Sequence, residues 1–207
     1  MNTVSIRAVR GHNCFILLAS LFLPAHAFEI ADSRFFFETG FEIGGDELVD
    51  EDGFGFNTIR ANAGLNLAVG ALFDLEGESL DGELLISAGY LSEDGDSEFS
   101  VSRVNLVYLL AKPNSRHRIG AGITLHIDPE VDVDETPSCT LFFCQESDFP
   151  PGKTRFDDAA GLILRYEYVL GDFLRYGFSY TLIEYQSDVK DVDGNGFGLY
   201  FYLPLDV

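Results

Sequence analysis

The residue best placed for acid–base chemistry is His126, with Thr124 and Asp128 two positions to either side. On an extended chain, residues two apart share a face, so a hydroxyl, an imidazole and a carboxylate would line up there. Such a set begins a hydrolytic or acyl-transfer centre, which also needs a nucleophile within hydrogen-bond reach and an oxyanion hole. No His-x-Ser-Asn motif supplies the nucleophile, and Ser179, a serine on a comparable face, belongs nearer the middle of its segment. The residues predict a histidine satisfied by neighbouring carboxylates, with no catalytic set and no cofactor.

Oxygen ligands are abundant. Acidic clusters occur at Asp46, Glu47, Asp50, Glu51 and Asp52, and again at Glu93, Asp94, Asp96 and Glu98. A third runs from Asp128 through Glu130, Asp132, Asp134 and Glu135 to Glu146 and Asp148, and a fourth holds Asp188, Asp191 and Asp193. Hard cations prefer such groups, which makes Ca²⁺ or Mg²⁺ a candidate partner of these acidic segments. A solvated, self-repelling surface accounts for the same residues without any ion and is the simpler expectation. Asp191-Val-Asp193-Gly-Asn195-Gly196 opens like a calcium loop, yet Gly196 to Val207 contains no Glu to complete the coordination. Asp-Gly and Asn-Gly are also hairpin-turn pairs, so a turn without metal is predicted there.

The first residues set the compartment. Arg7, Arg10 and His12 precede an apolar run from Cys14 to Leu23; Pro24 breaks it, and Ala25-His26-Ala27 presents small residues where a signal peptidase cuts. The run is too short to span a bilayer as a helix, so a cleavable export signal is predicted over 1–27, followed by one domain over 28–207. In an oxidising compartment, Cys139 and Cys144, with no histidine between or beside them, predict a small disulfide loop. The whole chain has a formal charge of −21; residues 1–27 hold two basic residues and no acid, so the remainder carries −23. That balance excludes nucleic acid and other polyanions as partners of the general surface. With 46% hydrophobic residues, including 19 Phe and 9 Tyr, the chain is nevertheless rich in material for a folded structure.

The elements that must position these groups follow a period of two. Phe35, Phe37, Phe41 and Ile43 alternate with Phe36, Glu38, Gly40 and Glu42. Seven more segments repeat the pattern: about 59–70, 83–91, 98–111, 116–128, 155–170, 174–182 and 196–203. In the second, Ile59, Ala61, Ala63, Leu65, Leu67 and Val69 are expected outward; in the sixth, Phe156 outward with Arg155 and Asp157 inward. The inward set carries Glu38, Glu42, Arg60, Glu83, Arg103, Arg118, Arg165, Glu167 and Arg175, a network of opposite charges expected to plug the interior. A soluble sandwich would bury its apolar face and expose its charges. Here the charged and glycine-rich face has to be the inner one, which a closed barrel with lipid outside satisfies. Short connections near 75–80, 112–115 and 171–172 alternate with acidic, mostly longer ones, the distribution expected of periplasmic turns and extracellular loops.

The pattern resembles the small eight-stranded outer-membrane proteins of the OmpX and OmpA barrel type. Gly198-Leu-Tyr-Phe201-Tyr-Leu203 looks like the C-terminal strand signal read by the barrel-assembly machinery, although the chain runs on to Val207 instead of ending on an aromatic residue. The resemblance implies an all-β, transmembrane antiparallel up-and-down barrel of about eight strands in a bacterial outer membrane. It further implies a monomer surrounded by lipid and lipopolysaccharide, with a structural or surface-interaction role and no enzymatic activity. A narrow channel for small solutes and a lipid A-modifying enzyme using His126 are the alternatives.

Overall fold

The computed structural model describes residues 29–50, 58–76, 81–95, 97–134, 146–171 and 174–205. Among them there is no helix. Eight long strands form: β1 (Glu29–Gly44), β2 (Gly64–Glu76), β3 (Asp81–Asp94), β4 (Glu98–Ala111), β5 (His117–Val133), β6 (Ala159–Leu170), β7 (Leu174–Leu182) and β8 (Gly196–Leu205). Each pairs antiparallel with its neighbours in sequence, and β1 pairs with β8 from Phe35↔Leu205 to Gly44↔Gly196. The sheet therefore closes into an up-and-down barrel, which removes the edges an open sheet would present.

Alternation sorts the side chains by face. Phe35, Ile43, Val69, Ile119 and Leu164 are at least half exposed on the outer wall, whereas Glu38, Glu83, Arg103, Arg165, Glu167 and Arg175 are buried inside. Glycine gives the interior its room. Tyr200 lies over Gly177, where a Cβ would sit 2.6 Å from its hydroxyl oxygen, so no larger residue fits beneath that ring. Phe36, Leu72, Leu85, Val107, Leu109, Ile163, Tyr200 and Tyr202 form an apolar cluster among the interior charges.

Two irregularities shift the alternation. At Asp128 the backbone has φ 49°, and the register with β4 jumps from Ser102↔Ile127 to Ser100↔Glu130. This bulge reverses the faces beyond it, so Val131 and Val133 turn inward and Asp128 is exposed, not interior as the uninterrupted period implied. A break at 156–158 does the same before β6: Phe156 is buried and Arg155 and Asp157 are exposed, the reverse of the expected faces. Asp158 accepts the Asp128 N–H at 3.0 Å, tying the two irregularities together.

The segment before β2 also departs from the expected faces. Ile59, Ala61 and Ala63 are buried, not exposed, because the chain turns at Asn62 (φ 59°) and Gly64 (φ 114°), and β2 begins only there. Residues 58–60 instead pair with Glu47–Asp50, which pairs in turn with Glu146–Ser147. Leu48, Val49, Ile59, Phe99, Val131, Phe149, Phe156, Ile183, Tyr185 and Val192 close around this small sheet as a second apolar core. The loops that read as solvated acid thus have an apolar underside and fold into a lid over one end of the barrel. The second connection is a tight hairpin, since β3 and β4 run on together until Asp94 faces Glu98. The opposite end carries short turns, such as the one where Ser115 N–H donates to Lys112 O at 2.9 Å.

Candidate functional site

Inside the barrel the alternation brings side chains of distant strands to one axis. Five carboxylates, Glu38, Glu42, Asp74, Glu83 and Glu167, meet five guanidiniums, Arg34, Arg103, Arg118, Arg165 and Arg175. Arg175 grips Glu83 with two bonds of 2.6 and 3.1 Å, and Arg118 Nε approaches the same carboxylate at 2.8 Å. Arg34 holds Asp74 at 2.7 Å across the β1–β2 pair. Arg165 donates to Glu38, lies 3.0 Å from Glu167, and sets its guanidinium 3.6 Å above the Tyr200 ring. Tyr202 donates its hydroxyl to Glu167 at 3.0 Å, and Arg103 donates to Glu42 at 2.5 Å.

Each of these ions is costly to desolvate, and the cost is offset only by close pairing with an opposite charge. The interior meets that condition with equal numbers of each sign. The void among Glu38, Glu42, Asn66, Arg103, Arg165 and Ser179 measures about 10 Å³, room for a single water.

Eight of the nine charged residues expected inside belong to this network, together with Arg34 and Asp74, which the sequence pattern did not single out. Both lie on the inner face beyond the stretch in which alternation was read. Arg60 stands apart. Its segment belongs to the lid, where it pairs with Glu47 at 3.3 Å and its backbone N–H donates to Glu93 at 2.7 Å.

His126 is fully buried near the lid and shares a 2.6 Å hydrogen bond between Nδ1 and the Tyr185 hydroxyl. The expected carboxylate partner is absent from this arrangement, because the bulge turns Asp128 to the outside. No serine hydroxyl bonds the imidazole among the described residues, and Ser179 lines the interior void instead. The ring lies tilted against Tyr185, which also contacts Phe99 and Phe156, so the histidine is a polar member of the lid core.

The acidic loop residues are partly spent on holding the lid. Asp46 accepts the Asp193 N–H at 2.9 Å, and Lys190 bridges to Asp148 at 2.5 Å. Glu130 receives Lys153 at 2.6 Å and Arg155 at 3.0 Å, which pins strand 152–155 to the top of β5. These bonds hold the Glu130 carboxyl below the usual carboxylate range, the Lys153 hydrogen bond first. In the loop that resembles a calcium site, Asp193 accepts from both the backbone and the side chain of Asn195 at 3.0 and 2.8 Å, and Asn195 Oδ1 accepts the Ile183 N–H. Those oxygens are used by the turn between the paired residues 184–185 and 192–193. Among the described residues no group of His, Cys, Asp and Glu is arranged to hold a metal. Cys139 and Cys144 lie outside the described residues.

An eight-stranded antiparallel barrel with an apolar outer wall and a paired, charged interior is the architecture of small outer-membrane proteins. Solved structures of similar fold include the neisserial surface protein NspA, 8% identical over 86% of this chain and 99% of that one, with a TM-score of 0.43. Ail, the attachment invasion locus protein of Yersinia pestis, is 10% identical over 84% of this chain and 97% of that one, with a TM-score of 0.42. No family model and no curated protein matches the chain.

Proposed function

We propose that the chain is an exported, non-enzymatic barrel of the bacterial outer membrane that presents its folded acidic lid as a surface for interaction. The observation that carries this reading is inverted polarity: Phe, Ile, Leu and Val line the outer wall, and the charges are inside. From Phe35 to Ile43 on β1, and from Phe197 to Leu205 on β8, the apolar span suits the roughly 9–11 residues of a tilted transmembrane strand. In lipid both faces are satisfied, whereas in water the outer wall would be a large exposed apolar surface.

An even number of strands puts both termini at the turn end, the periplasmic side, and the lid outside the cell. The export signal over 1–27 would deliver the chain, the strand Gly198–Leu203 would be read during assembly, and a Cys139–Cys144 bridge would brace the longest loop. Lipopolysaccharide surrounds the lid, with divalent cations as bridging partners for the acidic residues that the lid does not use. Closure of the sheet favours a monomer. The filled interior argues against the channel reading, and the Tyr185-bound His126 against lipid modification.

Heat-modifiability on a gel, combined with cell fractionation, tests the proposal. A band from the outer-membrane fraction that shifts on boiling is expected; an unshifted, soluble periplasmic protein overturns the membrane reading. Discrete conductance steps in a planar bilayer would replace the structural role with a channel, and a changed lipid A mass in expressing cells would replace it with an enzyme.

A further inference from the structure

The distribution of basic residues in this acidic chain is uneven in an informative way. Among the described residues, Arg34, Arg60, Arg103, Arg118, Lys153, Arg155, Arg165, Arg175 and Lys190 each pair with a carboxylate. Lys112 and Arg116 do not. Both are exposed, and both sit on the turn between β4 and β5, at the end of the barrel away from the lid. Two cations on one five-residue stretch that pair with no carboxylate among the described residues leave their charges open to an external anion.

The wall beside that turn indicates what depth it occupies. A chain of rings crosses four strands: His117 packs on Tyr168 at 5.1 Å, Tyr168 on Tyr176 at 5.4 Å, and Tyr176 on Phe201 at 6.5 Å. His117 also shares a 2.7 Å hydrogen bond with the Tyr166 hydroxyl. Rings with an apolar body and a polar tip mark the boundary between hydrocarbon and headgroups. Lys112 and Arg116 lie just past this band, so their charges fall at headgroup level. The position is fixed, because Val169 N–H donates to Arg116 O at 2.8 Å and Ser115 closes the turn on Lys112. Asp81, opposite Ala111 on β3, makes no ion pair with either cation among the described residues.

We propose that Lys112 and Arg116 bind the phosphate of an anionic phospholipid of the inner leaflet, with the tyrosine band flanking the headgroup and the acyl chains lying on the apolar wall. The proposal rests on the membrane reading above. Two basic residues at a lipid surface give an enrichment on the order of thirtyfold for an anionic over a zwitterionic headgroup.

The test is native mass spectrometry of the folded protein released from micelles containing equal amounts of phosphatidylglycerol and phosphatidylethanolamine. The unaltered protein is expected to retain phosphatidylglycerol preferentially. The double variant Lys112→Ala, Arg116→Ala should lose the preference, and Lys112→Arg, Arg116→Lys should keep it. Removing the lid cations, Lys153→Ala with Arg155→Ala, should leave it unchanged. Equal retention of both lipids, or the same preference in the alanine variant, overturns the proposal. Each sample is checked for its heat-dependent gel shift. A protein that shifts but shows no preference refutes this site alone, and one that never shifts refutes the membrane reading instead.

Discussion

At Arg165 two carboxylates, Glu38 and Glu167, share one guanidinium that is 3% exposed. Truncating it leaves Glu38 in the interior without an ion-pair partner and Glu167 with only its 3.5 Å contact to Arg175, and breaking a buried pair in this way costs about 3–5 kcal/mol. Arg165→Ala is therefore expected to lower the urea midpoint of the detergent-folded barrel by that equivalent. Arg155→Ala, which removes an exposed partner of Glu130, should move it little. An unchanged midpoint for Arg165→Ala would mean that water enters the interior and solvates the acids. At Gly177 the constraint is space. A side chain there meets the Tyr200 ring and the Tyr166 carbonyl, so Gly177→Leu should abolish the heat-dependent gel shift. These interior residues were legible in the sequence because glycine and charge recur with a period of two.

The elements at the lid end depend on different forces. Strand 152–155 is held by its ladder with the top of β5 and by the bonds from Lys153 and Arg155 to Glu130. Because the folded-state pKa of Glu130 is depressed, its contribution is complete above the unfolded carboxylate value of about 4.3. It is lost as pH falls through the lower folded value. Amide hydrogen exchange should show residues 152–155 protected at pH 6 and released once the pH falls through the depressed Glu130 value, with Glu130→Gln already released at neutral pH. Equal protection across the range would show that the ladder alone holds the strand. This element could not be read from alternation, since the Asp128 bulge and the 156–158 break each shift the period. Isolated apolar pairs among the acids, Leu48-Val49 and Val131 with Val133, were the available signal for a folded lid.

For the whole molecule the deciding question is which solvent the outer wall meets. Val69 is 58% exposed midway along the apolar span of β2. In a bilayer, an arginine on the lipid face costs about 2–4 kcal/mol at mid-depth. In a water-soluble barrel the same change would cost little. Val69→Arg is expected to destabilise the protein folded in phospholipid vesicles by that amount in a urea titration, and a neutral result would contradict a lipid-facing wall.

Alternation over short windows was enough to determine the class of fold and the number of strands. It was enough because the side-chain period of a strand is a local property of the backbone. Whether an irregular segment continues that period is not local. The burial of Ile59 and Phe156, the pairing of Arg60 with Glu47 and the partnership of His126 with Tyr185 were decided by tertiary structure. Each depends on loops far apart in sequence folding together over one end of the barrel, where burying their apolar undersides outweighs the local pattern.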